Sequence, residues 1–258
     1  MRFMKTFYNI SVGVVILLSS AVATTAYANH SWGGYHWART ANPFTLTLGD
    51  NLSASWKPYL ATSAFDWSSS TVLDLAVVPS FKGKTCKPTL GRVEVCNASY
   101  GRTGWLGIAN IWASGTHITQ GTTKMNDTYF NTSTYNTPAW RQLVLCQEVG
   151  HTFGLDHQDE IFTNANLGTC MDYTNDPSTN QHPNQHDYDE LDTIYAHLDT
   201  TTSVSATVAA KTNFNSEDPK EWGREIRRSK DGHTSLHERD FGHGNKVFTF
   251  VTWADGAK

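Results

Sequence analysis

The run Gln147-Glu148-Val149-Gly150-His151-Thr152-Phe153-Gly154-Leu155-Asp156-His157 brings two imidazoles, a carboxylate and a primary amide within reach of one another. If it is helical through His151, positions 147, 148 and 151 project toward one side, because residues three and four apart stack on a helix. Gly154 then ends the helix and lets the chain turn back, which returns His157 to the same point. Two imidazoles and a third donor match the ligand count of a catalytic zinc, which keeps one position open for water. A neighbouring carboxylate is placed to take the proton of that water as it attacks. A plain amphipathic helix accounts for Leu143, Val144 and Phe153, yet it leaves a Glu and two His around a Gly without a reason.

With Cys170-Met171-Asp172-Tyr173 following, the string resembles the metzincin zinc-peptidase signature HExxHxxGxxH with its Met-turn, in every position but the first. The resemblance implies a secreted zinc endopeptidase with one catalytic ion, with His151 and His157 as ligands and Glu148 as general base. Met171 would form the hydrophobic floor under the metal. The first ligand would be Gln147, whose amide oxygen reaches as far along the side chain as the Nε2 of a histidine. An amide oxygen is the weaker donor, so the metal should be held less tightly and act as a stronger Lewis acid. Three readings of that departure stand: an active endopeptidase, a metal-binding but inert relative, and a pseudoprotease that only binds peptides. The survival of Glu148, His151, Gly154, His157 and Met171 favours the first, since decay would scatter its losses. Tyr173 matches a Tyr of astacin-like and serralysin-like metzincins that reaches the zinc and stabilises the oxyanion. An ordinary aromatic packed beside the turn explains it equally.

The start of the chain bears on where such chemistry would occur. Arg2 and Lys5, the apolar stretch from Val14 to Leu18 and the small-x-small site Ala26-Tyr27-Ala28 predict a signal peptide over residues 1–28, cleaved before Asn29. The apolar run is too short and too interrupted by Ser for a membrane span, and no later segment is continuously apolar. Residues 1–28 hold two of the 20 basic and none of the 24 acidic residues, leaving 18 against 24, a net charge of −6 with His neutral. That balance gives no electrostatic footprint for nucleic acid. The expected partner is a protein or peptide substrate, with the chain itself a monomer.

Four cysteines in an exported chain are most simply two disulfides. Cys86 is paired with Cys96 around Pro88 and Gly91, and Cys146 with Cys170, which ties the helix to the Met-turn. No Cys lies between Asn29 and the first predicted strand, so latency by a zinc-bound cysteine, as in many matrix metalloproteinases, is not expected. The sequence is silent on calcium.

The elements that must position the site follow from pattern. Tyr35 to Thr40 predicts a first strand before an Asn42-Pro43 turn, Ser55 to Trp67 a helix, and Val72 to Val78 a buried strand, giving a parallel pair with a right-handed crossover. A hairpin within Cys86 to Cys96 follows, and then a strand from Gly104 to Trp112 whose glycines mark close backbone approach. His117 to Asn126 is a further strand. Thr137 and Pro138 supply an N-cap and a first helical residue for a helix that runs to Gly154. Tyr188, Leu191, Ile194, Tyr195 and Leu198 recur at helical spacing. The lone histidines His30, His36, His117, His182 and His186 show no ligand spacing.

This order over residues 32–198 resembles the matrix metalloproteinase branch. It implies an α+β catalytic domain over 29–199, with a twisted mixed five-stranded sheet, three helices and a Met-turn. Leu106, Gly107, Ile108 and Ala109 would be the edge strand that receives substrate backbone. Residues 200–258 are expected to hold a linker or extended crossing segment and a small β appendage, with strands near Trp222 to Ser229 and Val247 to Trp253 around Lys230-Asp231-Gly232.

Overall fold

The computed structural model describes residue 1 and residues 29–206 and 214–256. The expected signal peptide and part of the expected 200–210 linker lie outside the described residues. One mixed sheet of nine strands organises the chain, in the order β3-β2-β4-β6-β5-β9-β8-β7 with the short β1 also on β6. The strands are β1 (His36–Trp37), β2 (Phe44–Asn51), β3 (Leu73–Pro79), β4 (Val93–Ala98), β5 (Trp105–Ser114), β6 (His117–Asn126), β7 (Arg224–Arg228), β8 (Thr234–Gly242) and β9 (Asn245–Trp253). The helices are α1 (Lys57–Trp67), α2 (Asp127–Phe130), α3 (Pro138–His151) and α4 (Gln185–Ile194). Strands β3, β2, β4 and β6 run parallel, while β5, β9, β8 and β7 continue the sheet antiparallel.

This corrects the expected fold class, a five-stranded sheet with three helices and a separate β appendage. The C-terminal strands extend the main sheet because β9 pairs with β5 from Trp105–Trp253 to Ser114–Asn245. The reason is visible in β9 itself: Val247, Phe248, Phe250 and Val251 are buried on both of its faces, as befits an interior strand. The second face of β5 is covered too, since Trp105 and Ile108 pack with Tyr100, Trp222 and Val251. Lys124 of β6 is fully buried and donates to Ser216 at 2.8 Å and Glu217 at 3.3 Å, so its charge is paired by residues of the extension.

Two further expectations shift. Within 35–40 only β1 forms, and the first long strand is β2, where Phe44, Leu46 and Leu48 alternate inward. The parallel strand-helix-strand unit is therefore β2-α1-β3. The Cys86 to Cys96 stretch is a loop leading into β4, which pairs parallel with β2 and β6 and forms no hairpin arm. Segment 200–206 crosses and docks, with Ser203 N donating to Ala38 O and Ser205 N to Gly91 O, both at 2.9 Å.

Candidate metal centre

Helix α3 begins as the sequence requires. Thr137 Oγ1 accepts from Trp140 N at 3.2 Å, and Pro138 occupies the first turn, where its missing N–H costs nothing. All twelve residues from Trp140 to His151 are buried, so the helix lies between the sheet and α1. Its last carbonyls need donors, and side chains supply them: Trp32 Nε1 to His151 O at 3.1 Å, Trp37 Nε1 to Thr152 O at 2.8 Å, and Tyr195 OH to Phe153 O at 2.8 Å. Gly154 then takes φ +103°, and a Cβ there would stand 2.3 Å from Tyr35 O. Only glycine meets both demands.

The turn brings His157 back to His151. Their Nε2 atoms lie 3.1 Å apart, with the rings edge-on at 82°. His151 Nδ1 is 2.9 Å from the carbonyl oxygen of Leu155, which can only accept, so Nδ1 carries the proton. His157 Nδ1 is 3.2 Å from Glu160 Oε1 and donates likewise. In their neutral forms both imidazoles thus turn bare Nε2 lone pairs toward each other in a buried setting. A shared cation removes that repulsion, and donors about 2.0–2.1 Å from a tetrahedral zinc stand about 3.3–3.4 Å apart. Protonation is the poorer remedy at His151, because burial and the neighbouring His157 hold its pKa well below the ordinary imidazole value. A carboxylate and a carbonyl behind the two rings are partners of the kind that orient histidines on a metal.

Glu148 and Gln147 lie three and four residues before His151 on α3. Glu148 is fully buried, and burial pushes its pKa up to about 8, against the lowering effect of the hydrogen bond from Thr252. Thr252 Oγ1 lies 2.8 Å from Glu148 Oε1, whereas Glu148 Oε2 has no hydrogen-bond partner. With its pKa raised, Glu148 holds its proton at neutral pH, and a cation beside it would draw the pKa down toward the carboxylate that a general base needs. The Gln147 amide donates from Nε2 to Cys170 O at 2.9 Å, and its Oε1 lies 3.1 Å from Thr252 Oγ1. As placed, Gln147 engages the Met171 turn and β9; its oxygen keeps a second lone pair for a metal.

Close packing of α3 on β5 depends on Gly107. A Cβ there would meet Glu148 Oε1 and Val144 Cγ1 at 2.6 Å, so the close approach expected of the strand's glycines is realised. Both disulfides form, Cys86–Cys96 and Cys146–Cys170, and the second joins α3 to the turn bearing the fully buried Met171.

Leu106, Gly107, Ile108 and Ala109 lie in β5, which is no edge: β9 occupies the pairing positions that a substrate would use. Phe250 of β9 stacks on His151 at 4.0 Å between ring centroids and 13° between planes. Tyr173, also buried, donates from its hydroxyl to Trp253 O at 3.2 Å, and burial raises its pKa well above the usual phenol value. Its ring sits 6.3 Å from that of His157. Arg227 of β7 clamps the hairpin to the loop after α3, with both terminal nitrogens on Asp156 and Nε 3.3 Å from Glu160. Phe250, Thr252, Asp156, Glu160 and Arg227 escaped the sequence reading. An Arg and two acids separated by some 70 residues leave no local signal, and the alternation of β9 does not name its partner strand.

Among the described residues no helix is long and apolar enough to cross a membrane. No protein-family model matches the chain, and the curated proteins contain no match to it.

Proposed function

We propose that this chain is an exported zinc endopeptidase of metzincin-like chemistry whose C-terminal hairpin occupies its own substrate cleft. The observation that carries the reading is the buried pair of bare Nε2 atoms of His151 and His157, 3.1 Å apart, with Glu148 on the same helix holding one oxygen free. His151, His157 and the amide oxygen of Gln147 would hold the ion. A bound zinc ion would polarise the scissile carbonyl and acidify water. Glu148 accepts the water proton at Oε2 and returns it to the leaving amine. Tyr173 donates toward the carbonyl oxygen as negative charge builds there. In the closed arrangement its hydroxyl already donates to a backbone carbonyl, that of Trp253.

The closed strand resembles a bound peptide in further respects. It runs antiparallel to β5, places a hydroxyl on the general base and sets an aromatic ring over a ligand histidine. Access then requires β9 to leave. The two disulfides and the leader-like start of the chain favour action outside the cytoplasm. The inert peptide-binding reading is favoured by one feature, the grip of Thr252 on both Glu148 and Gln147.

The test is elemental analysis of the full chain together with hydrolysis of casein. Zinc should be present and lost on His151→Ala, while Glu148→Gln should keep zinc and cut hydrolysis by roughly 10²–10⁴. Full hydrolysis by Glu148→Gln refutes the mechanism. Zinc without hydrolysis, in wild type and in variants that loosen β9, selects the inert reading.

A further inference from the structure

A second set of imidazoles converges at the opposite end of β6 from the turn into α2. His36 lies in β1, His117 opens β6, and His197 and Asp199 follow α4. Asp199 Oδ1 stands 3.2 Å from His117 Nε2, 3.5 Å from His36 Nε2 and 3.8 Å from His197 Nε2. His36 and His197 bring their Nε2 atoms within 3.1 Å of each other. Three imidazole nitrogens and one carboxylate oxygen, from three separate segments, thus face one point.

The surroundings fix the proton position of His36. His36 Nδ1 lies 2.9 Å from Gly34 O, so it donates there, and the neutral ring presents a bare Nε2 to a carboxylate oxygen and to a second imidazole. An N–H at Nε2 of His117 or His197 can answer one such contact, whereas a cation answers them all. Asp199 is held in place through its other oxygen, Oδ2, which accepts from Arg39 N at 3.1 Å and Arg39 Nη1 at 2.9 Å. Arg39 is itself buried and anchored on Tyr195 O at 2.7 Å. Oδ1 is therefore left aimed at the imidazoles by a rigid support. The spacings of 3.1–3.8 Å bracket the ligand separation of about 3.3–3.4 Å expected around a tetrahedral zinc.

We propose that His36, His117 and Asp199, closed by His197, form a binding site for zinc or a similar divalent transition ion, separate from the centre on α3. The donor set of three imidazoles and one carboxylate suits zinc. His36 is buried and Asp199 partly buried, whereas the side chains of His117 and His197 are 38% and 54% exposed, which gives the ion an entry path. An ion here would staple β1, the start of β6 and the segment after α4. That segment leads directly into the 200–206 crossing and so into the C-terminal strands.

The test equilibrates metal-free full-length protein with zinc alone and counts bound equivalents. Wild type should bind one equivalent more than His117→Ala/His197→Ala, and His157→Ala should retain the equivalent that the double variant loses. Equal zinc in wild type and the double variant overturns the proposal. Loss of nothing on His157→Ala would instead strike the centre on α3 and leave this one standing. A measurement that needs no variant is acylation of wild-type histidines, read by mass spectrometry. Zinc should protect His117 and His197 severalfold, and unchanged labelling of both overturns the site.

Discussion

Phe250→Ala tests whether β9 can leave the cleft on its own. Phe250 is 1% exposed, stacks on His151, meets Trp32 at 5.6 Å and belongs to the main core. Truncating such a ring costs about 3–5 kcal/mol, from lost burial and the cavity left behind. If β9 opens as a unit, the whole cost falls on the closed state relative to the open one. The open population then rises by roughly a hundred- to several thousandfold, since each ~1.4 kcal/mol is tenfold. Hydrogen exchange reads this directly. Amides of β9 and β8 should be less protected than those of β2 and β4 in wild type, and Phe250→Ala should lower both groups by about 3–5 kcal/mol, because the closed state is the reference for partial and global opening alike. Hydrolysis of a fluorogenic peptide should rise in step, up to the rate of the freely open site.

The outcome that refutes this reasoning is equally concrete. If β9, β2 and β4 share one level of protection in wild type and in the variant, the strand opens only with global unfolding and the cleft is permanently filled. The geometry makes that a real contest. Arg227 on Asp156, Tyr173 on Trp253 and the cluster around Trp222 all resist opening. Against them, β7 is an edge strand, paired on one side with β8.

Two further outcomes are expected. Gln147→His should tighten zinc binding and reduce exchange protection in β9, whereas Gln147→Ala should weaken zinc by at least about tenfold; a chelator titration showing Gln147→Ala equal to wild type removes Gln147 from the ligand set. Glu94 is buried, and although burial raises its pKa, hydrogen bonds from Thr89, Asn51, Arg92 and Ser80 hold it below the ordinary value. A depressed folded pKa stabilises above the unfolded value and is lost as pH falls through the folded one, so the penalty of Glu94→Gln, about 1–3 kcal/mol at neutral pH, should shrink in urea unfolding below pH ~4.5. An equal penalty at pH ~3 and ~7 contradicts this.

What was legible in the sequence was what is local. The N-cap Thr137, Pro138, the stacking of positions along α3 and the turn at Gly154 are properties of neighbours in the chain, and they place His151 against His157. The pairing of Cys146 with Cys170 followed from the expectation that both elements serve one centre. What was lost depends on distant partners. Sheet order is decided by which strand meets which, and β9 meets β5 across some 140 residues through backbone hydrogen bonds that carry no side-chain code. For the same reason His36, His117 and Asp199 look solitary in the sequence, because parallel pairing of β1 with β6 is what brings His36 opposite His117.

The departure at position 147 acquires a physical sense from the closed strand. A histidine ligating through Nε2 would have only Nδ1–H left, enough to donate to Cys170 O and with nothing to accept from Thr252. The amide does both: Nε2 serves Cys170 O, and Oε1 accepts from the same hydroxyl that lies against Glu148. Replacing Gln147 by an imidazole would leave the Thr252 hydroxyl with Glu148 as its sole partner and weaken the hold of β9 on α3. Under the proposed function, glutamine at this place would couple two properties that a histidine separates, a softer grip on the metal and a firmer grip on β9.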